Sequence, residues 1–146
     1  MLAADQLTKL WIRSYPEGAV IYQAGIFKIV HPFVHNTGAA FGLFQGTSTV
    51  LAVLGFVVIA LVFGYVFWGC RHYPIGDNRL SLVALGLLLG GLIGNLIDRL
   101  RFGGVTDFIS IGWWPDFNLA DSALVAGTII LALSLLLSLI KPASSA

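Results

Sequence analysis

Four aspartates, Asp98, Asp107, Asp116 and Asp121, fall within a stretch that is otherwise mostly apolar. Two carboxylates close together in a partly dry place cannot both ionise comfortably, so they share a proton. The ionised member can then deprotonate a water while the protonated one polarises a peptide carbonyl, which is aspartic-protease chemistry. Asp107 lies in Val105-Thr106-Asp107-Phe108-Ile109 with no adjacent cation, and Asp121 precedes a long uncharged run at what would be the edge of lipid. An ionisable group there is costly unless it has a partner or a task. Three of the four also have a structural reading. Asn118 is a good helix N-cap, and the helix dipole favours an acid at Asp121 without any catalysis. Asp98 beside Arg99 reads as an ion pair closing a helix end, and Asp116 beside Pro115 as a solvated turn residue.

Other catalytic sets are weaker. His31, His35 and His72 lie in separate segments without zinc-motif spacing, and the single Cys70 allows neither an internal disulfide nor a Cys-rich metal site. No serine sits in a nucleophile-elbow pattern, and Lys9, Lys28 and Lys141 do not suggest a Ser/Lys dyad.

The elements that must position these groups belong to a membrane protein. Of 146 residues 58% are hydrophobic and 10% charged, and the mean hydropathy is +0.90. Eight Lys plus Arg against seven Asp plus Glu give a net charge of +1, so no basic field exists for nucleic acid, and disorder is excluded. Ser48 to Gly69, Leu80 to Ile97 and Ser122 to Ile140 contain no charge, and all five prolines fall outside them. Each is long enough to cross the hydrocarbon as an unbroken helix. Met1 to Arg13 is too short and too charged to span alone, and Asp5 and Lys9 interrupt any signal-peptide core, so an upstream apolar segment is expected.

Residues 70 to 79 form a short polar hairpin between the second and third helices. The end of the third helix at Asp98, the following loop and the start of the fourth near Asp121 therefore meet residues 14 to 47 at the opposite surface. The density of Lys and Arg favours a cytoplasmic hairpin. Ala19 to Tyr22 and Ile26 to Val30 read as short strands around a turn, forming a small sheet on the membrane. Trp113 and Trp114 suit an interfacial belt. Gly86, Gly90 and Gly94 form a small-residue stripe that admits another helix closely, and Asp98 continues it, turning its carboxylate into the bundle with Asn95 on a neighbouring face. No repeat or linker divides the chain, so residues 1–146 read as one domain.

Five ordered motifs carry a resemblance over essentially the whole chain: Asp5-Gln6-Leu7-Thr8-Lys9, Asn36-Thr37-Gly38-Ala39-Ala40-Phe41, Gly94-Asn95-Leu96-Ile97-Asp98-Arg99, Val105-Thr106-Asp107-Phe108 and Phe117-Asn118-Leu119-Ala120-Asp121. Together they resemble signal peptidase II, the bacterial lipoprotein signal peptidase family. The resemblance implies a mainly α, polytopic fold: a four-helix transmembrane bundle, its first helix truncated here, with a small extracytoplasmic β-cradle. It implies an aspartic endopeptidase of the bacterial cytoplasmic (inner) membrane, monomeric, with its active site at the extracytoplasmic surface. The substrate would be a diacylglyceryl-modified prolipoprotein, cut before the lipidated cysteine, with membrane lipids as the other partner and no cofactor or metal.

Position by position, Asp107 and Asp121 match the family's catalytic pair. Asp98 matches a supporting carboxylate, Asn36, Asn95, Arg99 and Asn118 match polar residues lining the site, and Asp5 and Lys9 match a structural motif. Gly38, Ala39 and Ala40 would leave room for an extended substrate backbone, or form a tight turn. Family members carry more of an apolar first helix than the four residues before Asp5, which suggests a late start codon or a truncation. The residues alone also admit a small proton-coupled transporter relaying protons over Asp98, Asp107 and Asp121, and a non-catalytic membrane assembly factor using the glycine stripe. The transporter needs a polar path that the apolar windows scarcely offer.

Overall fold

A computed structural model describes residues 1–38, 46–68 and 79–140, and the side chains of all of these except 65–68 and 138–140. The expectations for Ala39, Ala40, the polar hairpin and Lys141 fall outside the described residues. Among the described residues four helices, α1 (Leu2–Arg13), α2 (Ser48–Trp68), α3 (Arg79–Phe102) and α4 (Leu119–Ile140), accompany four short strands. The charge-free windows fall within α2, α3 and α4, apart from Gly69. At a rise of about 1.5 Å per residue α3 and α4 run roughly 36 and 33 Å, and both are long and apolar enough to cross a membrane. Leu133, Leu136 and Leu137 of α4 and Phe56, Val57 and Leu61 of α2 point outward uncovered, a cost in water that lipid removes.

Small residues set how closely the helices approach. A Cβ added at Gly91 would lie 2.6 Å from the carbonyl oxygen of Ala120, and one at Gly127 2.9 Å from that of Ala84, so α3 and α4 meet backbone to backbone at two levels. The buried hydroxyls of Ser81 and Ser134 pair at 2.8 Å farther along the same seam. The expected stripe is occupied by α1, in part. A Cβ at Gly90 would lie 2.8 Å from Cβ of Met1, and one at Gly94 2.5 Å from Oδ2 of Asp5, whereas one at Gly86 meets nothing within 4 Å among the described residues. One and two turns on, Lys9 meets Asp98 and the Arg13 guanidinium lies 4.0 Å above the Phe102 ring. Every fourth residue of α1 thus meets every fourth residue of α3.

The strands β1 (Val20–Ala24), β2 (Phe27–Val30), β3 (Ile109–Ile111) and β4 (Trp114–Phe117) form one antiparallel meander. The first hairpin is the expected one. The second lies between α3 and α4 and was not expected: its strands are three and four residues long, too short for a clear alternation. Pro115 is tolerated because β4 is an edge strand. Asp116 is exposed, as a solvated residue should be, but it belongs to β4 and not to a turn. Phe27 pairs with Ile111, and the N–H of Gly112 donates to the carbonyl of Ile26 at 2.9 Å. Both hairpin tips therefore share one end of the sheet, where Trp113 is 88% exposed. At the other end β3 runs back to Phe108 and Asp107, so the sheet fixes one side of the candidate site.

Candidate active site

Asp107 sits at the end of a loop that leaves α3, and two constraints fix it there. Asn36 and Val105 exchange backbone hydrogen bonds at 2.8 and 2.9 Å. Gly104 makes that approach possible, since a Cβ there would lie 2.8 Å from Cβ of His35. On the far side the Phe108 N–H donates to the carbonyl of Phe117 at 3.0 Å, tying the loop to β4. Asn36, brought alongside, donates from Nδ2 to Asp107 Oδ2 at 2.8 Å.

Asp121 is placed by the start of α4. Asn118 is the N-cap: its Oδ1 accepts the Asp121 N–H at 3.0 Å, and Asp121 Oδ2 accepts the Asn118 N–H at 3.2 Å. This reciprocal pair is a capping box. The same Asn118 donates from Nδ2 to Asp107 Oδ1 at 2.7 Å, so one fully buried side chain joins the two aspartates. Asn95 of α3 completes the set, donating to Asp121 Oδ1 at 2.8 Å. All four carboxylate oxygens thus receive an N–H from an asparagine, three from side-chain amides and one from a main-chain amide.

The pair opens on a cavity of about 560 Å³, lined at its polar end by Asn36, Asn95, Arg99, Asp107 and Asp121. Its far wall is apolar, with Val125, Ala126 and Ile129 following Asp121 down one face of α4. Arg99 donates to the Gly38 carbonyl at 3.2 Å, while its buried Nε has no partner among the described residues. Asp107 is only 6% exposed. Burial, then the nearby charge of Asp121, pushes its carboxyl up to about 6, against the pull of the Asn36 and Asn118 hydrogen bonds. A carboxyl that changes protonation near neutrality beside a second carboxylate is equipped for general acid–base work. Among the described residues no three His, Cys, Asp or Glu side chains group as a metal site would need.

Of the residues singled out from sequence, Asn36, Asn95, Arg99, Asp107 and Asp121 meet in this cavity, with Asn118 buried directly behind the two carboxylates. Asp98 does not join them. It is fully buried on the α1 side of α3, 2.8 Å from Arg13 and 3.4 Å from Lys9, and accepts the Thr106 N–H at 3.0 Å. Its cations therefore come from α1 and not from the adjacent Arg99, which turns to the cavity. His31 bonds the Tyr15 carbonyl at 2.7 Å, and His35 lies 3.3 Å from the Thr106 hydroxyl. Burial, then Arg13, holds His35 below its ordinary value. Sequence reasoning missed Arg13, Thr106 and the apolar wall of α4. Only the spacing of Val125 and Ile129 after Asp121, one and two turns along, could have signalled the wall.

The sequence model of the family described as Signal peptidase (SPase) II matches residues 1–137. A lipoprotein signal peptidase of Dehalococcoides mccartyi is 47% identical over 141 residues, covering 94% of this chain and 84% of that protein. One from Moorella thermoacetica is 42% identical over 139 residues, covering 94% and 88%. A solved bacterial membrane enzyme, determined by the in meso method at 2.3 Å resolution, superposes with a TM-score of 0.83 at 28% identity, covering 99% of this chain and 88% of that one.

Proposed function

The chain belongs to the signal peptidase II family and is a membrane protease of the lipoprotein signal peptidase type, and from that premise we propose that Asp107 and Asp121 are its catalytic pair. The observation that carries this reading is that Asn118, directly behind the polar end of the cavity, donates to both carboxylates, from its side-chain Nδ2 to Asp107 and from its main-chain N–H to Asp121. With one proton between them, the pair activates a water with its ionised member and polarises the scissile carbonyl with the other. Water adds to the carbonyl carbon, the C–N bond of the tetrahedral intermediate breaks, and the leaving amine takes a proton from the pair. The proton belongs to the pair and not to one residue.

In this reading Asn36, Asn95 and Asn118 hold the carboxylates in register, and Arg99, whose Nε has no partner among the described residues, holds the substrate backbone. Asp98 supports the site from the α1 side. The substrate is a prolipoprotein carrying diacylglycerol on its cysteine, cut just before that residue. The apolar wall along α4 supports this, because it lets the apolar part of the substrate stay in lipid while the scissile bond meets the carboxylates. No cofactor takes part. The chain acts as a monomer and a single membrane-embedded unit in the bacterial cytoplasmic membrane. α1 takes the place of the first of four spanning helices, and the meander forms an extracytoplasmic cradle beside the site.

The test is incubation of the purified protein with a lipidated prolipoprotein, alongside Asp107→Asn and Asp121→Asn. The parent releases a shortened product beginning at the lipidated cysteine, and each variant is slower by at least about 10² to 10⁴. A variant that cleaves at the parental rate removes its residue from the pair.

A further inference from the structure

The aspartates are bonded by amides at the cavity, and the amide that holds Asp121 is itself gripped from behind. Lys9 is fully buried. Its ammonium lies 2.9 Å from Asp5 and 3.4 Å from Asp98, and donates at 3.0 Å to Oδ1 of Asn95. The Nδ2 of that same Asn95 donates to Asp121 Oδ1 at 2.8 Å. A side-chain amide has one accepting and one donating end. Fixing which end meets Lys9 therefore fixes which end meets Asp121. A flipped Asn95 would aim its NH₂ at an ammonium and its oxygen at a carboxylate, two repulsions where there were two bonds.

Asn118 also donates to Asn95 Oδ1, at 3.2 Å. That bond is between neutral groups, and a charged donor makes a bond roughly twice as strong, so Lys9 is the stronger determinant of the Asn95 orientation. One turn along α1, Arg13 acts in parallel toward the other aspartate. Its Nε and terminal nitrogen donate to Thr106 Oγ1 at 3.1 and 2.6 Å, fixing the residue immediately before Asp107.

We propose that Lys9 is a positioning residue for the cleavage reaction: its ammonium locks the Asn95 side chain with the donating end toward Asp121. The alternative is that Lys9 only neutralises Asp5 and Asp98. Both roles predict a less stable Lys9 variant, but only positioning predicts a slower chemical step in the molecules that remain folded, and only positioning makes that loss depend on Asn95.

The inference rests on the catalytic reading of Asp107 and Asp121, and the experiment separates the two. Lys9→Met, Asn95→Ala and the double variant are purified as full chains in detergent. Their kcat and KM on a lipidated prolipoprotein are normalised to folded protein by thermal melting. Lys9→Met lowers kcat at least tenfold with KM within twofold, and adds less than twofold to the loss already caused by Asn95→Ala. Lys9→Gln, which keeps a neutral donor toward Asn95, recovers part of the rate, and it carries the same cycle if Lys9→Met does not accumulate. A kcat within twofold of the parent, or losses that multiply in full, overturns the proposal. If Asp107→Asn and Asp121→Asn abolish cleavage while Lys9→Met does not slow it, only this inference falls; if those two cleave normally, the catalytic reading falls instead.

Discussion

The molecule holds buried or partly buried carboxylates on two sides of α3, and they are treated in opposite ways. Asp5 and Asp98, on the α1 side, are fully buried and meet Lys9 and Arg13 at 2.8 to 3.4 Å. Asp107 and Asp121, on the cavity side, receive asparagine N–H groups at 2.7 to 3.2 Å. A cation within contact distance fixes a carboxylate in its charged form; a neutral donor orients it and leaves the proton exchangeable. The first side holds α1 on α3, and the second has the geometry that the proposed acid–base chemistry needs. Asn95, bonded to Lys9 on one side and Asp121 on the other, is where the two sides touch.

The same substitution on the two sides should have opposite effects. Asp98→Asn leaves Arg13 and Lys9 short of a partner charge, and removing one member of a buried ion pair costs on the order of 3 to 5 kcal/mol. The expected result is a large drop in melting temperature in detergent, or failure to accumulate. A melting temperature equal to the parent's would dissolve the distinction between the two sides.

Asp107→Asn should stabilise, by an amount that depends on pH. The folded carboxyl titrates at about 6 against an ordinary 3.8. Below about pH 4 it is protonated in folded and unfolded chains alike, and burial carries no ionisation penalty. As the pH rises toward 6 the unfolded chain gives up its proton first, so stability falls, with the full penalty of about 3 kcal/mol present above pH 6. Asparagine has no such penalty. Melting of Asp107→Asn should match the parent near pH 4 and exceed it near pH 8, and equal curves at both would contradict the buried, raised carboxyl.

The glycines of α3 offer a smaller test of what holds the frame. Gly91→Ala drives a methyl against the Ala120 carbonyl at 2.6 Å, backbone that has no room to yield, at a cost of about 1 to 3 kcal/mol. Because Ala120 adjoins Asp121, cleavage should slow as well. Gly86→Ala meets nothing within 4 Å and should gain up to about 1 kcal/mol from helix propensity. Melting curves of the two variants in one detergent check both signs.

Much of this frame could be read from the chain itself. Charge-free windows locate α2, α3 and α4 because lipid tolerates no interruption. Asn118 followed three residues later by Asp121 is a local cap, and the structure keeps it. What sequence did not reveal depends on partners far away along the chain. The stripe at Gly90 and Gly94 signals a close neighbour but does not name it, and the α4 contact uses Gly91 and Gly127, which no regular spacing links. Lys9 and Arg13 look like charges that shorten an apolar helix until Asp98 and Thr106 are brought beside them. The strands β3 and β4 exist because β2 offers an edge at Phe27 to Ile29, a long-range pairing that three or four residues cannot announce.

Infrared spectroscopy of the carboxyl groups in the purified protein tests most directly whether the cavity pair carries an exchangeable proton near neutrality. Near pH 5 the parent should show a protonated carboxyl band that fades on titration toward pH 7. The band should weaken or shift in Asp107→Asn and be kept unchanged in a variant altered only at exposed Asp116. A parent with no protonated carboxyl near pH 5, or a band that survives Asp107→Asn unchanged, would contradict the account.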